Sequence, residues 1–134
     1  MISTRGRYAL RVMSELSDHE PDQLVPLKEI AEHQGVSLKY LESIMSILVK
    51  NKLVVGASGK GGGYRLKKQA QEYTLGEILR ATENSIEPVA CTAKDSEPCE
   101  RNAICPTYPI WMELSGLIND FLDSKTLADL KKQK

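Results

Sequence analysis

Aromatic residues and histidine are scarce in this 134-residue chain: aromatics make up 5% of it, with one Trp, one Phe and two His. No run approaches the roughly 18 to 20 consecutive apolar residues of a membrane-spanning helix, which excludes a chain that crosses a bilayer by helices. The opening stretch MISTRGRYALRVM lacks a continuous apolar segment and a small-residue cleavage site, so the expected location is cytoplasmic. Net charge is missing too, since 18 Lys and Arg balance 18 Asp and Glu. What remains is 41% hydrophobic and 27% charged, an ordinary globular balance that argues against wholesale disorder. At this length a chain buries roughly two-thirds of its unfolded surface on folding and needs no staples.

The zero net charge conceals a split. Residues 1–68 hold 11 Lys and Arg against 7 Asp and Glu, a net of +4, and residues 69–134 hold 7 against 11, a net of −4. A basic first half fits a polyanionic partner, although charge alone leaves chance as an equal reading.

The three cysteines, Cys91, Cys99 and Cys105, fall within fifteen residues. An odd count without an export signal argues against a disulfide framework and favours metal or redox chemistry. The spacing C-x7-C-x5-C has no close pair of the kind structural zinc uses, and His19 and His33 lie far upstream. Wide-set thiolates suit an iron–sulfur cluster, whose sulfurs span a larger body; three structural thiols are the alternative.

Periodicity predicts mostly helix. Ser3 or Thr4 caps a first helix, along which Tyr8, Val12, Met13 and Leu16 recur at helical spacing. Polar residues 17–23, with Pro21, read as a loop. A short helix from about Leu27 to Gln34 uses Leu27, Ile30 and Ala31 as its apolar face and ends at Gly35. Ser37 then caps a helix whose Leu38, Leu41, Ile44, Met45 and Leu48 follow the period, so the two make a helix-turn-helix pattern. KLVVGASGKGGGYRLKK reads as strand, glycine-rich tip and returning strand, ringed by Lys60, Arg65, Lys67 and Lys68. A basic hairpin after a helix-turn-helix is a wing. The rival, a nucleotide phosphate loop, fails the G-x-x-x-x-G-K-[ST] spacing. Thr74, with Glu77 three residues on, predicts a capping box for a fourth helix. Residues 85–109 are irregular. A last helix from near Ile110 to at least Leu122 carries Ile110, Leu114, Leu117 and Phe121 on one stripe, with Trp111 and Ile118 beside it. That stripe must be covered, either by its own domain or, the favoured reading, by a second copy.

The fold class expected is therefore mainly α with a small β-hairpin wing: a winged helix-turn-helix over 1–84, a cysteine-bearing loop over 85–109, and a dimerisation helix with its tail over 110–134. Candidate DNA contacts are Ser37, Lys39, Tyr40, Glu42 and Ser43 on the recognition helix, Arg5, Arg7 and Lys28 ahead of it, and Lys60 and Arg65 in the wing. No nucleophile–base pair emerges, so no enzyme is expected.

The order GRYALRVM, then IAEHQGVSLKYLE, then GKGGGYRL, then three cysteines before TYPIW resembles the IscR-type iron–sulfur regulators, winged helix-turn-helix transcription factors, over nearly the whole chain. The resemblance implies a homodimer with crossed long helices, a palindromic duplex operator, a repressor or activator role, and a cluster held by Cys91, Cys99 and Cys105. A 2Fe–2S cluster is favoured by it and 4Fe–4S is compatible. It also makes Glu42 the family's discriminating glutamate. The chain departs from the pattern in three places. Tyr108 stands where the family has its histidine ligand, which leaves Tyr108, a nearby carboxylate (Asp95, Glu97 or Glu100), the partner subunit or solvent as fourth ligand. The first cysteine interval is longer by two residues. Ser58 stands where a wing arginine enters the minor groove, with Lys60 as a partial substitute. Tyr8 stands where the nitric-oxide-sensing branch can have a ligating aspartate, which favours the IscR-like branch. Cluster binding is expected to fix residues 91–108 and so shift the long helix. A thiol- or zinc-responsive regulator of the same fold, and a protein-binding winged-helix module, are the alternatives.

Overall fold

The computed structural model describes residues 2–92 and 103–130. Five helices, α1 (Thr4–Ser17), α2 (Leu27–Gln34), α3 (Leu38–Lys50), α4 (Leu75–Thr82) and α5 (Tyr108–Ser124), surround one two-stranded hairpin, β1 (Val54–Ala57) and β2 (Gly63–Leu66).

The helix starts follow from short polar side chains. Ser3 accepts from the Gly6 N–H, Ser37 from Tyr40 and Thr74 from Glu77, so each satisfies a donor that the helix itself leaves open. The capping box expected at Thr74 is only half formed. Thr74 accepts as predicted, but the Glu77 carboxylate is taken by Lys68 Nζ at 3.2 Å. A complete box forms instead at Thr126, whose N–H donates to Asp129 Oδ2 at 2.8 Å. Helix α5 begins at Tyr108, two residues before the expected start, because Pro109 sits in its first turn, where a missing N–H costs nothing.

The core joins Val12, Met13 and Leu16 of α1, Ile30 of α2, Leu41, Ile44, Met45 and Leu48 of α3, and Ile78 and Leu79 of α4. Leu122 at the end of α5 and Leu127 beyond it belong to the same cluster. Leu38, expected in the buried stripe, is 46% exposed and faces away from it.

The hairpin is antiparallel, with Val54 opposite Leu66 and Ala57 opposite Gly63. Val25 bridges to Tyr64 through two backbone bonds of 2.8 and 2.9 Å, which fastens the wing to the chain just ahead of α2. Gly63 permits this: a Cβ there would lie 2.3 Å from the Val25 carbonyl oxygen, at φ 150°. At the wing's base, fully buried Tyr73 receives the Lys67 and Lys68 N–H groups on its hydroxyl and donates to the Leu53 carbonyl at 2.6 Å.

Candidate nucleic-acid interface and cysteine loop

Helices α2 and α3 meet at Gly35, which adopts φ 66° and closes α2 with its N–H directed at the Ala31 and Glu32 carbonyls. This sharp turn lets α3 bury Leu41, Ile44, Met45 and Leu48 while its other face is open. Ser37, Lys39, Glu42 and Ser43 are all exposed on that open face. Two of the four already hold local bonds: Ser37 caps the helix, and Ser43 Oγ donates to the Tyr40 carbonyl at 2.6 Å. Exposed Lys39 and Glu42 offer a cation and an anion from adjacent turns, a pairing suited to a phosphate and a cytosine amine.

Tyr40 is not free in this way. Its ring stands edge-on to Tyr8 at 6.0 Å and 90°, half-buried against the core. Among the other expected contacts, Arg7 and Lys28 are exposed, as are Ser58 and Lys60 at the wing tip. Arg5 is half-buried, with Nε donating to the Thr82 carbonyl at 3.2 Å, and Arg65 donates to the Leu66 carbonyl, also at 3.2 Å. Both are tied back to the protein through one group and keep other donors available.

Sequence reasoning missed the polar ties that hold α5 to this domain. Arg80 Nη1 meets Asp123 Oδ1 at 2.7 Å and Arg80 Nη2 meets Asn119 Oδ1 at 2.7 Å. The Arg80 guanidinium hydrogen-bonded to Asp123 holds that carboxyl below its ordinary pKa, against a smaller opposing effect of burial. Glu87 accepts from the buried Ser115 hydroxyl and lies near the Asn119 amide. A second cluster joins α1 to α2, where Glu15 Oε2 pairs with His33 Nδ1 at 2.9 Å and the His33 pKa is raised by that bond. His33 is thus an exposed residue with a partner that the sequence did not reveal.

With α5 held by Ser115, Asn119 and Leu122, its outward stripe is bare. Leu117 is 63% exposed, Phe121 58% and Ile110 56%. The stripe read from the sequence as a covered face is therefore not covered by its own domain. A groove lined by Ile2, Ile86, Leu117, Ile118, Phe121 and Leu122 runs along it.

Cys91 lies exposed in a 3₁₀ turn (Ala90–Thr92), and Cys105 is half-buried just before α5. Cys105 Sγ is 3.2 Å from the Thr107 hydroxyl, which therefore engages the thiol and leaves α5 without a side-chain cap. Tyr108 follows directly, its N–H donating to the Cys105 carbonyl. Cys99 lies outside the described residues, as do Asp95, Glu97 and Glu100. Among the described residues no three His, Cys, Asp or Glu side chains gather as a metal site. Two thiolates flanking the loop fit the soft donor set of an iron–sulfur cluster or copper(I), and a phenol is a harder partner beside them.

Residues 2–133 match the Rrf2 family, iron-dependent transcriptional regulators. The chain is 39% identical to the HTH-type transcriptional regulator IscR of Pectobacterium atrosepticum over 99% of this chain and 80% of that one. It is 40% identical to IscR of Serratia proteamaculans over 96% and 77% of the two chains. Among solved structures, CymR, the global cysteine regulator of B. subtilis, superposes with a TM-score of 0.77 at 36% identity, covering 97% and 95% of the two chains. T. potens IscR superposes with a TM-score of 0.76 at 31% identity, covering 100% and 93%. The relatives are transcription regulators and not enzymes. The winged helix-turn-helix, its turn at Gly35 and the match along almost its full length place this chain in the Rrf2 family of transcriptional regulators.

Proposed function

We propose that the protein is a homodimeric DNA-binding regulator whose affinity or site choice is switched by an iron–sulfur cluster held at Cys91, Cys99 and Cys105, with Tyr108 as candidate fourth ligand. The observation that carries the reading is the position of Cys105 just ahead of α5 and of Tyr108 at its first residue, in the helix whose other face is bare and whose flank is tied to α4 by Arg80. A change at the thiols acts directly on the start of α5. Through Asn119 and Asp123 it reaches Arg80 on α4, through Ser115 it reaches Glu87 beyond α4, and through the second copy it alters the spacing of two recognition helices. Only a ligand with different affinity for two arrangements can do this.

On this reading Lys39 and Ser37 engage phosphate or a base edge, Glu42 accepts from cytosine N4 and rejects other pairs, and Arg5, Arg7, Lys28, Lys60 and Arg65 contact the backbone, with Ser58 at the wing tip. The cluster, when bound, supplies sensitivity to oxidation and to iron supply; 2Fe–2S is favoured by the resemblance to the IscR-type regulators and 4Fe–4S is compatible with the same three thiolates. Two copies along bare α5 faces fit a palindromic operator.

The test is iron, acid-labile sulfide and the visible spectrum of protein purified without oxygen, set beside duplex affinity. Cys99→Ala should lose the cluster and change affinity; if both stay as in the wild type, the switch is wrong. The likeness to CymR favours a second reading, a thiol-responsive regulator with no cluster, in which iron and sulfide are absent and oxidation alone changes DNA affinity.

A further inference from the structure

Six side chains from three helices form one continuous cluster behind the recognition helix: Tyr8, Arg11 and Glu15 on α1, His33 and Gln34 at the end of α2, and Tyr40 on the first turns of α3. Arg11 is its hub. Its guanidinium carbon lies 4.6 Å from the centre of the Tyr8 ring, and that ring receives Tyr40 edge-on. Its Nε donates to Gln34 Oε1 at 2.9 Å, and its Nη2 donates to the Gln34 carbonyl at 3.2 Å. Gln34 Nε2 in turn donates to Glu15 Oε1 at 2.6 Å, and Glu15 is only 8% exposed. Gln34 is thereby held at its carbonyl, its amide oxygen and its amide nitrogen, one residue before the Gly35 turn that sets the angle between α2 and α3.

We propose that Arg11 is a positioning residue for operator discrimination: it clamps Gln34 and, through Tyr8, Tyr40, so that the two ends of the α2–α3 turn keep the angle at which Lys39 and Glu42 meet base edges. Three features separate this from a phosphate contact. Arg11 spends two of its donor groups on Gln34. Its guanidinium carbon sits over the Tyr8 ring, a contact a guanidinium makes better than an ammonium. Its partners lead to the turn and to the recognition helix, not to the wing. A misplacement of about 1 Å here removes base-edge geometry while leaving the charge of the surface unchanged.

The inference rests on α3 reading duplex DNA, so the experiment begins there. Full-length wild-type protein selects from a randomised duplex pool, and its affinities for the best selected duplex and for an unrelated duplex are measured at several salt concentrations. Arg11→Ala, Arg11→Lys and Gln34→Ala are then compared. The clamp predicts about a tenfold loss of preference for the selected duplex in all three, the worth of one charged hydrogen-bonded pair. It also predicts an unrelated-duplex affinity within about twofold of wild type, an unchanged salt slope, and a double variant no worse than Arg11→Ala alone. Arg11→Lys decides the matter, because it keeps the charge and loses the fork. Lysine behaving as wild type, or a salt slope reduced by about 0.9 in Arg11→Ala, would make Arg11 a phosphate contact and overturn the clamp. Equal losses on both duplexes together with a lowered melting temperature would make it merely structural and also overturn it. Wild type that prefers no duplex sinks the DNA-reading assignment itself; wild type that discriminates, with variants that discriminate equally, sinks the clamp alone.

Discussion

At the scale of single residues, the proposed DNA reading assigns different work to two exposed groups. Glu42 on α3 and Lys60 at the wing tip are both open to a partner, yet they call for different outcomes on substitution. Glu42→Ala should relax discrimination at one base pair by about 1–3 kcal/mol, read as a broadened preference in a duplex pool. Lys60→Ala, at the wing tip, should weaken all duplexes alike and lower the salt slope by about 0.9. His33 gives a pH signature. Its pKa is raised above 6.5, first by the hydrogen bond to Glu15 and then by the charges of Glu15, Glu29 and Glu32. Arg7, Arg11, Asp18 and His19 line the same groove and carry the remaining charge around it. A raised folded pKa contributes stability that is fully present below 6.5 and is lost as pH rises through the folded value. His33→Gln should therefore flatten the decline in thermal stability on going from mildly acidic to mildly alkaline pH. The Asp123 carboxyl has the opposite sign: its stabilising effect is present above its ordinary pKa and fades as pH falls through the lowered one. With both partners over 40% exposed, the Arg80–Asp123 pair contributes well under about 1 kcal/mol.

At the scale of elements, the helices were legible because capping chemistry and period agree. Ser37 and Gly35 bracket the turn, and the stripe from Leu41 to Leu48 is buried as the spacing requires. What the sequence concealed are contacts between distant segments. Nothing near Tyr73 signals that its hydroxyl gathers three backbone groups at the wing's base, because Lys67 and Lys68 are close in the chain but Leu53 is twenty residues away. Nor does local pattern pair Arg80 with Asp123 or Glu15 with His33. The α5 stripe was visible, but periodicity reports that a face is apolar and not what covers it. Leu38 misled for the same reason, since it keeps the period and lies on the open side. Tyr73→Phe leaves a buried carbonyl and two N–H groups without their partner, so it should lower stability by about 1–3 kcal/mol in denaturant unfolding and reduce wing-dependent DNA affinity. Ser37→Ala should cost about 1 kcal/mol by the same measurement.

At the scale of the whole molecule, the account joins two surfaces that one copy leaves open: the polar face of α3 and the bare stripe of α5. Leu117→Glu puts a charge into the proposed contact between copies, and sedimentation should then show a monomer. Its intact wing should still bind DNA, but without the gain from two half-sites. The cysteine loop lies between these surfaces in the chain, and the described thiol of Cys105 abuts the first turn of α5. The most direct measurement of the central claim takes protein purified without oxygen and records iron, acid-labile sulfide and affinity for its selected duplex, before and after the colour is bleached. The account predicts equal iron and sulfide and a change in duplex affinity on bleaching. Protein that holds neither iron nor sulfide after reconstitution, or that binds the duplex equally in both states, would contradict it.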